Sequence, residues 1–270
     1  MGNGGVAAMT IYLGTGGYSD TDLLGVLYPP KTKKTDFLQT YAAHYTSVEI
    51  NSSFYAPLGR KAFEGMLTKS AGQVKFAIKL HQDFSHTLRA TSDTAQVFLQ
   101  AIAPICQRDC LAALLLQFPH GFDRTIEHRR YLARLVGWFA DLPLTIEFRH
   151  ASWHTPQVYR SFAEQGLIWC SVDYPDISGL PDSRLLFTSR TGYLRLHGKN
   201  PNWWDAHSAS ERHDYRYSQD QMQAWAQSIA NQRANFDTLF VYFENTVKGH
   251  AVYNIAMLRQ ALQTLGLEVH

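Results

Sequence analysis

Cysteine is scarce in this chain of 270 residues, with 3 in all, at Cys106, Cys110 and Cys170. The number is odd and no Cys/His cluster completes a zinc site, which excludes a disulfide scaffold and a structural zinc. A reduced, cytoplasmic protein with inert buried thiols is expected. No apolar run approaches the ~20 residues of a membrane span. Charge of one sign is also lacking: 25 Lys and Arg face 23 Asp and Glu, a formal net charge of +2 with no basic run, which argues against a polyanion partner. The chain has no Gly-x-Ser-x-Gly elbow, P-loop, His-x-His or His-Glu-x-x-His pattern. Gly14-Thr15-Gly16-Gly17 runs into Tyr18-Ser19-Asp20 and does not complete a dinucleotide fingerprint. The Gly-rich start has neither the basic region nor the apolar stretch of a signal peptide. Residues 1–9 are expected to be a disordered leader with Met9 as the native start, and residues 10–270 a single domain.

What is present is a regular alternation. Short apolar segments predict strands near Thr10–Gly14, Ser47–Asn51, Lys75–His81, Ala112–Phe118, Leu144–Arg149, Ile168–Asp173, Gly192–His197 and Leu239–Glu244. Amphipathic stretches predict helices near Lys34–His44, Thr91–Cys106, His128–Ala140, Pro156–Gln165, Ser218–Ala234 and Ala251–Leu265. Ser218 with Gln221 reads as a capping box. About eight such units without a break in composition predict an α/β fold, a single (β/α)₈ TIM barrel with parallel strands and outer helices. Two connections are long: Leu80–Leu88, and residues 198–217 with Trp203, Trp204, His207, Tyr215 and Tyr217. The second is read as either an aromatic lid or a Trp-anchored surface loop.

The strands end in ionisable or amide side chains. Alternation puts Glu49 with Asn51, Lys79 with His81, Glu147 with Arg149 and Arg195 with His197 on common faces. Charge facing a strand-lined interior is costly unless paired or used, and a barrel gathers its strand C-termini into one mouth. Glu49, Lys79, Gln117, Glu147, Arg149, Asp173, Arg195, His197 and Asn245 are therefore expected to converge. Lys79, Arg149 and Arg195 suit an anion; Glu49, Glu147, Asp173 and His197 are candidate proton carriers. An internal salt-bridge network is the plainer reading of any single member. The turn Asn245–Gly249 leads into the last helix, whose N-terminus would aim N–H groups at an anion, with Gly249 allowing close approach. Glu49, Glu147, Asp173 and His197 form a set able to hold Mg²⁺ or Mn²⁺, but the interleaved cations already supply positive charge. No metal or cofactor is expected.

Several motifs carry a family resemblance: GTGGYS (Gly14–Ser19), YPP (Tyr28–Pro30), VEINSSFY (Val48–Tyr55), KFAIKLHQDFSHT (Lys75–Thr87) and LLLQFPHGF (Leu114–Phe122). IEFRHASWH (Ile146–His154), SVDYP (Ser171–Pro175), YLRLHG (Tyr193–Gly198) and VYFENTVKGHAVYNIAML (Val241–Leu258) continue the set. In these, and in their order, the chain resembles the DUF72 family of (β/α)₈ proteins, to which no reaction is assigned. The resemblance implies the barrel and the polar strand ends, and it places His86 at a family position able to reach the mouth. Family members often carry paired Asn after the last strand, whereas Glu244-Asn245 stands here. That departure removes the basis for an amide role at Glu244 and leaves Asn245 matching.

Anion capture beside acid/base groups predicts an enzyme acting on a small phosphorylated, carboxylated or sugar-like compound, with isomerase, lyase and hydrolase chemistry all open. One alternative is a single-stranded nucleic-acid protein, with Tyr18, Trp153, Trp203, Trp204 and Tyr215 stacking bases. The other is a non-catalytic ligand sensor.

Overall fold

The computed structural model describes residues 9–270. The expected leader lies outside the described residues except for Met9, which packs partly buried on the core. The strands are β1 (Thr10–Thr15), β2 (Ser47–Ile50), β3 (Lys75–Lys79), β4 (Leu111–Phe118), β5 (Leu144–Phe148), β6 (Ile168–Asp173), β7 (Thr191–Leu196) and β8 (Thr238–Phe243). They pair in parallel in the order β1-β8-β7-β6-β5-β4-β3-β2, a nearly closed (β/α)₈ barrel as expected. Around it run α1 (Phe37–Ala42), α2 (Ser52–Tyr55), α3 (Arg60–Lys69), α4 (Ser92–Gln107), α5 (Ile126–Trp138), α6 (Pro156–Glu164), α7 (Ala209–Arg212), α8 (Gln219–Asn231) and α9 (His250–Thr264). Thr91, Thr125, Thr155 and Ser218 accept backbone N–H bonds at the starts of α4, α5, α6 and α8, and Ser218 with Gln221 completes the expected box. No helix among the described residues is long and apolar enough to cross a membrane. The three Cys are unpaired, Cys110 and Cys170 buried and Cys106 half-buried.

Parallel strands are covered on both faces. Outward residues such as Leu13, Val48, Ile78, Leu116, Ile146 and Val241 join the large core under the helices. Inward residues form a separate cluster that includes Ala77, Leu115, Cys170, Tyr193, Phe240 and Tyr242, with Tyr12 stacked on Phe240 at 5.0 Å.

Two features depart from a regular barrel. Among the described residues no helix joins β6 to β7. The connection instead turns over the mouth, with Tyr174, Ile177 and Leu180 on the inward cluster, and residues 183–188 then return beside β6. Arg184 bridges Val172 antiparallel, Ser171 Oγ accepts from Leu186 N (2.9 Å), and Thr188 Oγ1 donates to Leu167 O (2.7 Å). The second feature is the seam between β1 and β2, where no backbone ladder forms among the described residues. The Tyr41 hydroxyl, from α1, closes it, donating to Ser47 O (2.9 Å) and accepting from Thr15 N (3.0 Å). Gly14 backs onto Ser47 so closely that a Cβ there would lie 2.2 Å from Ser47 O.

Candidate functional site

Above the apolar interior the inward positions turn polar. Glu49 on β2, Lys79 on β3, Gln117 on β4, Glu147 on β5 and Arg195 on β7 lie within the strands. Asn51, Arg149, His197 and Glu244 lie at or just past strand ends, where the chain turns into loops. With Phe54 and Tyr55 of α2, His86, and Ser210, Arg212 and His213 of the loop after β7, most of them surround a cavity of about 270 Å³.

Arg195 is the hub. Its guanidinium, 2 % exposed, grips Glu49 with two bonds, Nε to Oε2 at 3.1 Å and Nη2 to Oε1 at 2.8 Å. It also donates through Nη1 to Glu147 and lies 2.8 Å from Glu244 Oε2. Other donors from the barrel and its rim fill further lone pairs, though not Glu244 Oε1. Tyr193 OH donates to Glu49 (2.6 Å), Tyr174 OH and Arg149 Nε to Glu147 (2.6 and 3.1 Å), and Asn51 Nδ2 to Glu244 (3.1 Å) and to Gly16 O (2.8 Å). A buried ion pair survives only when its lone pairs are met in this way.

The hub sorts its carboxylates. Burial works to raise the Glu147 carboxyl, but Arg195, the His197 ring and Arg149 together hold it well below the usual range. Glu147 is thus a fixed anion rather than a proton carrier. Glu244 goes the other way: burial, reinforced by Glu49 against the pull of Arg195, raises it to about 8. Its Oε1 has no hydrogen-bond partner among the described residues. Burial and the Arg195 charge push His197 well below its usual value, so the ring is neutral. It stacks on Tyr174 (5.3 Å) and His213 (5.0 Å), and Arg195 Nη1 lies 3.3 Å from Nε2. With Nε2 accepting, the proton belongs on Nδ1, which is buried without a hydrogen-bond partner among the described residues. Lys79 lies 4.3 Å from the centre of the Phe54 ring, its amine lowered to about 8 by burial and by Arg195 and Arg149.

Asp173 and Asn245 do not join the expected convergence, and Gly249 does not open onto an anion site. On β6 the inward residues are Ile168, Cys170, Val172 and Tyr174, so Asp173 faces the outer layer. There it meets Lys199 Nζ (2.8 Å) and accepts from Trp225 Nε1 of α8 (3.3 Å). On β8, Phe240 and Tyr242 face inward, which brings in Glu244 and turns Asn245 out. Asn245 Nδ2 ties Tyr215 O (2.8 Å) to Asn254 Oδ1 (3.0 Å). Gly249, at φ +70°, packs against Val26, where a Cβ would come within 2.9 Å. Nor is the turn before α9 open to an anion. Asp22 accepts from Lys248 N (2.7 Å) and Asp20 from Thr246 Oγ1 (2.9 Å), so carboxylates of the β1 loop occupy it. His81 caps its own turn at Asp83, and His86 stands exposed at the rim with its ring edge on Phe54. Gln117 lines the cavity while its amide donates to Phe118 O (2.9 Å).

Loop 198–217 covers one side of the mouth. Trp203 anchors it, buried against Tyr174, His197 and His213, and Arg212 Nε donates to Trp203 O (3.1 Å). Among the described residues no three His, Cys, Asp or Glu side chains are set to hold a metal ion. Glu49 and Glu147 face Arg195 instead, and Asp173 lies outside the barrel.

Glu244 has a consequence for pH. A carboxyl raised from 4.5 to about 8 stabilises the fold fully below its unfolded value, and that contribution is lost as pH rises through about 8. Glu244→Gln, which mimics the protonated form, is expected to melt with the wild type near pH 4.5. Near pH 8, where the difference amounts to about 4 kcal/mol, it should melt on the order of 10 °C higher. Melting curves that stay parallel between those limits would remove this assignment.

Three comparisons bear on identity. The family model described as "Protein of unknown function DUF72" matches residues 12–269. The UPF0759 protein YunF of Bacillus subtilis (strain 168) is 28% identical over 275 residues, covering 96% of this chain and 95% of its own. Among solved structures, a DUF72 family protein of Thermotoga maritima superposes with a TM-score of 0.87 at 29% identity, covering 94% of this chain and 99% of that one. One of Enterococcus faecalis gives 0.84 at 24% identity, covering 94% and 95%, a likeness of fold. With the barrel, its polar strand ends and a match over nearly its whole length, the chain belongs to the DUF72 family.

Proposed function

We propose that the protein is an enzyme that takes a small anionic compound, phosphorylated, carboxylated or sugar-like, into the barrel mouth and handles it by proton transfer. The observation that carries this reading is the set of cations left over once the hub is complete. Lys79 and Arg212 have no carboxylate partner among the described residues, and Arg149 uses only Nε on Glu147. All three line a cavity in which the lining carboxylate, Glu244, is drawn to Arg195. The excess of positive charge favours an anion, and the planar fork of Arg149 suits a carboxylate or phosphate. A volume of about 270 Å³ falls just below the ~300–1,000 Å³ typical of drug-sized ligands. Glu244, holding a proton near neutrality with a free Oε1, is the preferred acid/base group.

The nucleic-acid alternative loses support, because Trp153 and Trp203 are buried and offer no face to a base. The small net charge speaks against it as well.

Calorimetric titration with orthophosphate and a panel of sugar phosphates and small carboxylates tests the reading. Arg149→Met is expected to weaken the best binder at least about tenfold, or ~1.4 kcal/mol, without loss of the fold. If the wild type binds no member of the panel at millimolar concentration, the reading fails. If a bound compound is never converted, the protein is a sensor rather than an enzyme.

A further inference from the structure

We propose that Lys79 is a covalent nucleophile, whose amine attacks the carbonyl carbon of a small aldehyde or ketone bearing a carboxylate or phosphate and forms an imine. This rests on the anion-binding reading and narrows it to carbonyl compounds.

The first support is an ion pair that is not made. Glu244 borders the same cavity as Lys79, yet no carboxylate oxygen lies within 4 Å of its Nζ among the described residues, since Arg195 gathers the acids of the site. Three other lysines do find acids, Lys75 with Asp109, Lys199 with Asp173 and Lys248 with Asp214, and the lysines without one that lie on the surface have water instead. A partly buried ammonium without a counter-ion is costly, and the cost falls when the group gives up its proton. Phe54 walls one side of the amine, and Arg149 and Arg195 stand close enough to repel its charge. With its value lowered to about 8, roughly a tenth of the amine is free at pH 7, against well under a hundredth for an ordinary lysine.

The second support is the company it keeps. Arg149 has nitrogens to spare for the anionic end of the compound, which would hold the carbonyl near Lys79. Glu244 supplies the proton that dehydration needs. In the first step the nitrogen lone pair forms the N–C bond, and the carbonyl π pair moves to oxygen, which takes up the proton lost from nitrogen. In the second the C–O bond breaks, the hydroxyl leaves as water with a proton from Glu244, and the nitrogen lone pair closes the C=N bond. The products are one protonated imine and one water, with Glu244 left as the carboxylate beside the iminium, and no oxidant or reductant is needed.

Incubating the full chain at pH 7.5 with glyoxylate, pyruvate or dihydroxyacetone phosphate, followed by borohydride reduction and peptide mass spectrometry, tests this. The expected result is a reduced adduct on Lys79 at least tenfold above that on any surface lysine such as Lys248. Lys79→Arg, which keeps the charge but forms no imine, should lose the adduct while binding orthophosphate. If the carbonyl probes bind by calorimetry but label Lys79 no more than the surface lysines, the imine proposal is overturned and the anion reading stands. If these probes and the wider anion panel neither bind nor label, both fall. Because the labelled site is read on the wild type, the outcome does not depend on how well the variant folds.

Discussion

Arg195→Met is expected to cost about 3–5 kcal/mol of folding stability, read from the urea midpoint at neutral pH. The guanidinium is the counter-charge for Glu49 and Glu147, both fully buried, and it also lies against Glu244, which holds a proton near neutrality. Removing it leaves carboxylates in a low-dielectric interior whose remaining partners, Tyr193, Tyr174, Asn51 and Arg149, were arranged to complete the network rather than replace its centre. Adding Glu49→Gln and Glu147→Gln to the Met variant should restore part of the loss, because neutral amides no longer need the missing charge. A loss below about 1 kcal/mol, the scale of a solvent-exposed ion pair, would show that the three acids do not depend on Arg195.

Gly14→Ala should be the next most damaging change, at about 3 kcal/mol. The added carbon would lie 2.2 Å from Ser47 O and 3.2 Å from the Tyr41 hydroxyl, so it strikes backbone on one side and the bridging group on the other. Neither can rotate away. The barrel must part between β1 and β2, where a shared hydroxyl takes the place of a backbone ladder. Hydrogen exchange should localise the damage, with amides of β1 and β2 losing protection before those of β4 and β5. Stability within about 0.5 kcal/mol of the wild type would mean that the seam has slack.

Periodicity locates the strands well, and β3, expected to end at His81, and β2 and β5, expected to end at Asn51 and Arg149, borrowed polar residues from the following loops. It does not say which face of a strand looks into the barrel. A parallel strand is apolar on both sides, so β6, read as Ile-Trp-Cys-Ser-Val-Asp, carries no alternation to orient Asp173. Its neighbour Tyr174 is the inward group, and the hydrogen bond to Glu147 that reveals this joins residues 27 apart in sequence. Glu244-Asn245 poses the same choice between adjacent polar residues. Parity from Phe240 and Tyr242 settles it for Glu244, but only once those rings are known to lie inside. On β2, β5 and β7 two like-facing polar residues made the orientation legible. Ser210, Arg212 and His213 left no mark at all, since a loop has no period and their place in the cavity depends on Trp203 being buried beneath them.

The hub also bears on the order in which the chain folds. Its members come from β2, β5 and β7 and from the residue after β8, so sequence separations of 48 and 146 residues are closed by one side chain. A nascent chain that has made β1 to β6 holds Glu49 and Glu147 but lacks the arginine that neutralises them. Such a six-stranded intermediate is penalised electrostatically until β7 docks. The charges that build the mouth would then act earlier as a checkpoint, discouraging the first six strands from settling into a stable fold of their own and tying their completion to the arrival of the last two.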